Sequence, residues 1–63
     1  MKQIIGTVTK NKRMYTVSIT LPSGKKHYFN DLYRNIAIMR CKDFLLNFNF
    51  ELVVEDSVEG TVG

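Results

Sequence analysis

The stretch Met14–Leu21, MYTVSITL, decides the fold of this chain. Apolar and hydroxyl-bearing residues alternate along it, and successive side chains of a strand point to opposite faces of a sheet. The stretch therefore predicts a β-strand with one buried face and one face in water. The buried face would carry Tyr15, Val17, Ile19 and Leu21, and the other face Thr16, Ser18 and Thr20.

The segments on either side predict an antiparallel meander of three strands. Lys2–Thr9, KQIIGTVT, is rich in β-branched residues, and the polar loop 10–13 separates it from the central strand. Pro22-Ser23-Gly24 predicts a tight turn, because proline presets the first turn dihedral and glycine accepts the left-handed one that follows. The chain then returns as a third strand, Lys25–Phe29.

The hydrophobic period changes to that of a helix over residues 31–47. Asn30 and Asp31 are the predicted N-cap residues, and the charge of Asp31 favours a helix N-terminus. After the helix, Phe50–Asp56, FELVVED, alternates again and predicts a fourth strand. At 100° per residue, the helix face expected to lie on the sheet consists of Tyr33, Ile36, Ala37, Cys41, Phe44 and Phe48.

The order β-β-β-α-β predicts a small two-layer α+β domain. We expect a three-stranded antiparallel meander plus a C-terminal strand, with the helix packed on one sheet face. The compact domain would comprise residues 1–56, and residues 57–63 would form a flexible acidic tail. The layout of residues 2–48 resembles small DNA-binding modules of plant transcription factors and of integrase arm-binding domains. The fourth strand departs from that layout.

The chemistry of common catalytic and metal sites is missing from the sequence. The single histidine, His27, and the single cysteine, Cys41, are too few for a zinc site, and one cysteine excludes a disulfide. Asp31 and Asp43 would lie about 18 Å apart along the helix, too far to act as an acid–base pair. We expect a non-enzymatic protein without cofactor, metal or small-molecule substrate. With no apolar run near about 20 residues, we also expect no membrane association and a cytoplasmic location.

The charge of the chain is distributed unevenly. Residues 1–50 carry nine basic and two acidic side chains, a net of +7, whereas residues 51–63 carry four acidic side chains and no basic one. A basic body favours a polyanion or an acidic protein as partner. The alternative is that the lysines and arginines only keep a small domain in solution.

The sheet face turned away from the helix is the first candidate site. Hydroxyl groups, a lysine and an aromatic ring on an exposed sheet can bind phosphates and stack on bases. A one-residue slip would exchange His27 and Tyr28, so the sequence leaves the face of each one open. The alternative is that these are ordinary solvent-facing strand residues. The candidate nucleic-acid-binding residues are Lys10, Lys12, Arg13, Thr16, Ser18, Lys25, Lys26 and Tyr28.

A stripe on the far side of the helix is the second candidate site. Leu32, Met39 and Leu46 recur every seven residues, opposite the sheet-packing side, with Asn35 and Lys42 beside them. Exposed apolar residues in register predict a contact with another copy of the chain or with a target protein. The alternative is a helix that is apolar nearly all round and is covered by the fourth strand or the tail.

These observations predict a small binding protein. We expect an accessory or regulatory protein, like those of phages and mobile elements, that binds and modulates a host protein, for example as an inhibitor. Because a chain of this size buries only about 60% of its unfolded surface, we expect it to form a homodimer. The alternative is a DNA-binding module that uses the open sheet face and the basic loops.

Overall fold

The alternating stretch forms a strand, β2 (Met14–Thr20), which lies inside the sheet. The structure is a computed structural model and describes residues 2–56; the expected tail, 57–63, lies outside the described residues. The predicted α+β order is confirmed, with one helix packed on a four-stranded sheet of order β3-β2-β1-β4. The other elements are β1 (Lys2–Asn11), β3 (Lys26–Asp31), α1 (Arg34–Leu46) and β4 (Phe50–Asp56).

The turn between β1 and β2 is shorter than the predicted loop 10–13. The two strands pair antiparallel as far as Asn11 and Met14, so that only Lys12 and Arg13 form the turn. Lys12 has a φ of 58°, the left-handed conformation that a two-residue hairpin needs to match the strand twist. Lys10, which we expected in the loop, therefore lies in β1.

The turn between β2 and β3 forms as Pro22-Ser23-Gly24 predicts. The N–H of Gly24 donates to the carbonyl oxygen of Leu21 at 2.8 Å, and the N–H of Leu21 donates to the carbonyl oxygen of Lys25 at 2.8 Å. Gly24 has a φ of +93°, where a side chain would be strained. The turn sets the β3 register, which places Tyr28 opposite Ser18.

Strand β4 pairs in parallel with β1, an orientation that the sequence pattern does not reveal. The register joins Ile4 to Leu52 and Gly6 to Val54. Parallel neighbours need a long connection, which the crossover through α1 provides. The same crossover brings Asp56, at the end of β4, to Arg34 at the start of α1. Arg34 Nη2 donates to both carboxylate oxygens of Asp56, at 2.7 and 2.9 Å.

The helix begins later than predicted. Its N-cap residue is Tyr33, not Asn30 or Asp31, because Asp31 still pairs with Tyr15 in the β2–β3 ladder. The carboxylate of Asp31 instead accepts the N–H of Tyr33 at 3.1 Å, which turns the chain out of the strand. After the helix, Asn49 takes a φ of 61° and starts the path into β4.

The helix face against the sheet is also rotated from the predicted one. Ala37, Cys41 and Leu45 are fully buried, at a spacing of four residues. Leu45 was missing from the predicted face. Tyr33 and Phe48, which we expected there, are 66% and 53% exposed, because both lie beyond the ends of the helix and leave its direction.

The third strand turns His27 toward the helix and Tyr28 away from it. The ring of Phe44 lies 4.7 Å from that of His27 and 5.5 Å from that of Phe29, centroid to centroid. Tyr28 pairs with Ser18 and is 62% exposed. This packing resolves the alternatives that the sequence left open. The fully packed core comprises Ile4, Val8, Val17, Ile19, Ala37, Cys41 and Leu45.

Gly6 lets the core close over the middle of β1. A Cβ atom there would lie 2.7 Å from Cδ1 of Leu52, 3.1 Å from Cγ1 of Val17 and 3.4 Å from Cγ2 of Ile19. We predict that Gly6→Ala lowers the free energy of unfolding by about 1–3 kcal/mol, because the added methyl group overfills the core. Urea unfolding of the variant measures this. An unchanged midpoint would show that Leu52 moves aside without cost.

Candidate functional site

The single cysteine and the single histidine of the chain both pack on the helix side of the sheet. No group of three or more His, Cys, Asp and Glu side chains within residues 2–56 is placed to bind a metal ion. Cys41 is fully buried in the core, and burial raises the pKa of its thiol to about 11. His27 packs on Phe44. The surface features that remain are the two predicted ones, the open sheet face and the helix stripe.

The open sheet face, the side of the sheet away from α1, is built by rows of residues in register. One row runs from Tyr28 through Ser18 and Thr7 to Glu55. A second row joins Asn30, Thr16 and Thr9, and the hydroxyl of Thr16 donates to Oδ1 of Asn30 at 2.7 Å. The hydroxyl of Ser18 donates to the carbonyl oxygen of Thr7 at 3.4 Å. These bonds hold the polar side chains in defined positions on the sheet.

Two grooves lie on or beside this face. We call the first the sheet groove: it has a volume of about 490 Å³ and combines hydroxyl groups with an amide, an ammonium group, a phenol and aliphatic carbon. The second, the turn groove, has a volume of about 540 Å³ and lies at the β1–β2 turn. The sheet groove is lined by Gln3, Ile4, Ile5, Thr7, Ser18, Ile19, Thr20, Lys26 and Tyr28. The turn groove is lined by Asn11, Lys12, Arg13, Met14, Thr16 and Asn30.

The grooves bring together six of the eight candidate nucleic-acid-binding residues. Ser18, Lys26 and Tyr28 line the sheet groove, and Lys12, Arg13 and Thr16 line the turn groove.

Two candidates lie elsewhere. Lys25 is exposed in the β2–β3 turn. Lys10 shares the helix side of the sheet with Tyr15, and its Nζ lies 5.5 Å from the centroid of that ring. The placement of Lys10 follows from the short turn, since Lys10 alternates in β1 with the buried Val8.

The grooves are also lined by residues that were not among the sequence-predicted candidates, among them Gln3, Ile5, Asn11, Met14 and Asn30. Gln3 and Ile5 alternate in β1 with the buried Ile4 and Gly6, and this alternation is the sequence signal that could have placed them on the open face. Asn30 was assigned to the helix cap instead of to β3, and Asn11 and Met14 flank the turn that was predicted as a longer loop.

Carboxylates lie at one edge of the open sheet face. Glu51 and Glu55 pair with Gln3 and Thr7 of β1 and alternate with Leu52, which packs against the core. Gln3 Nε2 donates to Oε1 of Glu51 at 3.5 Å. The face is therefore polarised, with Lys26 on the β3 edge and two carboxylates on the β4 edge. Glu51 and Glu55 belong to the sheet, so much of the C-terminal negative charge has a defined position.

The helix stripe is exposed, as predicted. Met39 and Leu46 are 49% and 47% exposed, and they lie about 150° around the helix from the buried Cys41. Leu32 is 57% exposed but precedes α1 and its extended N-cap residue Tyr33, so the seven-residue helical spacing that predicted Leu32 in the stripe does not apply to it. Asn35 and Lys42 are exposed beside Met39 and Leu46. Within residues 2–56, neither β4 nor any other element covers the stripe.

The chain matches no protein-family model, no curated protein and no solved structure. In the described part of the chain, no helix has the length and apolar character needed to cross a bilayer.

The burial of Cys41 makes its thiol unreactive in the folded protein. We predict that an aromatic disulfide reagent at about pH 8 labels the native protein only as fast as it unfolds, and labels the denatured protein at once. The free energy of unfolding should fall as the pH rises from 9 toward 11, because the thiol ionises first in the unfolded chain. Rapid labelling of the native protein would contradict this placement of Cys41.

Proposed function

We propose that this chain is a non-enzymatic binding protein that forms a homodimer through its helix stripe. The observation that carries the proposal is the exposure of Met39 and Leu46 on the side of α1 away from the sheet. Large apolar side chains in register on an exposed helix face mark a contact surface in a protein of this size. A two-fold axis would set the stripe against its own copy, which is the commonest arrangement of small homo-oligomers.

The small core of the monomer supports association. Seven side chains form the fully packed core of the described residues, and three of them come from α1. A second layer against the outer side of α1 would remove Met39 and Leu46 from water, and association would stabilise the folded state by mass action.

Such a dimer leaves the open sheet face free for a target. This arrangement is compatible with the accessory role that we propose, in which the dimer binds and modulates a protein of its host as small phage and mobile-element proteins do. A cytoplasmic location belongs to the same proposal, and the free, buried thiol of Cys41 supports it, since unpaired cysteines are usual in reducing compartments.

Nucleic-acid binding through the open sheet face is a second candidate function. It is supported by the convergence of Lys12, Arg13 and Thr16 in the turn groove with Lys26 and Tyr28 in the sheet groove. Cationic side chains and hydroxyl groups contact phosphates, and an exposed aromatic ring stacks on bases.

Replacing the end of the helix stripe tests the homodimer. We predict that the unchanged protein sediments at twice the monomer mass at tens of micromolar, and that Leu46→Lys sediments as a monomer. Lysine suits this position in a monomer, because it lies in the last turn of α1, where the helix dipole favours a positive charge. Loss of the dimer therefore reports loss of the interface.

The matched control adds the same charge elsewhere. Ser23→Lys, in the exposed β2–β3 turn, should keep the dimer. Far-ultraviolet circular dichroism should be alike for all three proteins. A monomeric unchanged protein, or a dimer that survives Leu46→Lys, would refute self-association through this stripe.

A further inference from the structure

We infer that the open sheet face binds single-stranded nucleic acid along β2 and discriminates against the double helix. The inference rests on the second candidate function and adds to it the form of the ligand, the path it takes and the residues that select it. Its basis is the arrangement of charges on this face. A path of mostly hydroxyl-bearing side chains runs between two groups of cations, and carboxylates lie at the opposite edge of the same face.

The path follows the exposed side of β2. Met14 and Thr16 line the turn groove, and Ser18 and Thr20 line the sheet groove, so that the two grooves continue one another along a single strand. At about 3.4 Å per residue this path is about 20 Å long. The path is one side chain wide, and none of its side chains is larger than methionine. An extended polynucleotide can therefore lie along it.

Cations lie at both ends of the path. Lys12 and Arg13 form the β1–β2 turn at one end. At the other end lie Lys26, the first residue of β3, and Lys25, which precedes it in the β2–β3 turn. A polynucleotide along β2 therefore meets positive charge where it enters and where it leaves. Between the two ends, Tyr28 is 62% exposed beside Ser18, where its ring can stack on a base.

The carboxylates of β4 supply the discrimination. Glu51 and Glu55 lie two strands away from β2, about 10 Å at the spacing of neighbouring strands. A single strand over β2 and β3 keeps its phosphates on the basic side. A duplex is wider and would bring its second row of phosphates over β1 and β4. Phosphates over β4 would lie within a Debye length of these carboxylates, about 8 Å at physiological salt, and would be repelled. Phosphates over β2, about 10 Å away, are largely screened from the carboxylates.

Fluorescence anisotropy of the full chain with labelled oligothymidylate of about 12 nucleotides tests the inference, with a duplex of the same length as the competing probe. We expect the single strand to bind several-fold more tightly at low salt. Tyr28→Ala should weaken that binding about 5- to 150-fold. Tyr33→Ala, which removes a similarly exposed ring that lines neither groove, should leave it unchanged.

The charges are tested in the same assay. Neutralising Lys12 and Arg13 together to Gln should flatten the slope of log affinity against log salt by about 1.4, whereas Lys10→Gln, on the helix side, should change it little. Glu51→Gln combined with Glu55→Gln should strengthen duplex binding more than single-strand binding. The preference for the single strand over the duplex should therefore become smaller. Circular dichroism verifies that each variant is folded.

The outcomes distinguish failure of this inference from failure of the nucleic-acid binding on which it rests. Equal or tighter binding of the duplex overturns the inference and leaves nucleic-acid binding standing. Binding of neither probe overturns both. Two further results would show unspecific attraction and also overturn the inference. One is an affinity for polyglutamate equal to that for oligothymidylate, and the other is an equal loss of oligothymidylate affinity in Tyr28→Ala and Tyr33→Ala. The homodimer is measured separately by sedimentation, so its failure changes none of these results.

Discussion

The contact between β2 and α1 is the interaction on which the rest of the structure depends. Val17 and Ile19 from the strand, and Cys41 and Leu45 from the helix, belong to one cluster that is almost completely removed from water. Burial of apolar area is the main favourable term in folding, and a chain this short has few other sources of it. Because this cluster occupies one side of the sheet, it also determines which side stays open.

The docking of β4 beside β1 is the second constraint. Gly6 provides the space for Leu52 and Val17 to meet over β1, and the parallel register then determines where every side chain of β4 lies. The alternation that packs Leu52 against the core sends Glu51 and Glu55 to the open face. The charge pattern of that face is thus a consequence of how the core is packed.

The two exposed surfaces lie on opposite sides of the molecule for the same reason. A two-layer domain has one inner interface and two outer sides, and here the outer sides are the open sheet face and the far side of α1. One is grooved and combines hydroxyl and charged side chains with the exposed Ile5 and Met14, and the other carries the exposed Met39 and Leu46. Association through the helix side would leave two open sheet faces pointing away from each other.

The sequence by itself determined the order of elements, the alternation of β2 and the turn at Gly24, because these depend on neighbouring residues. It also placed most of the candidate residues on the open face. Only the tertiary structure decided the rest: the start of α1, the burial of Leu45, the position of Lys10 and the parallel pairing of β4. Each of these depends on a strand register or a packing direction, which is set by contacts between residues far apart in the chain.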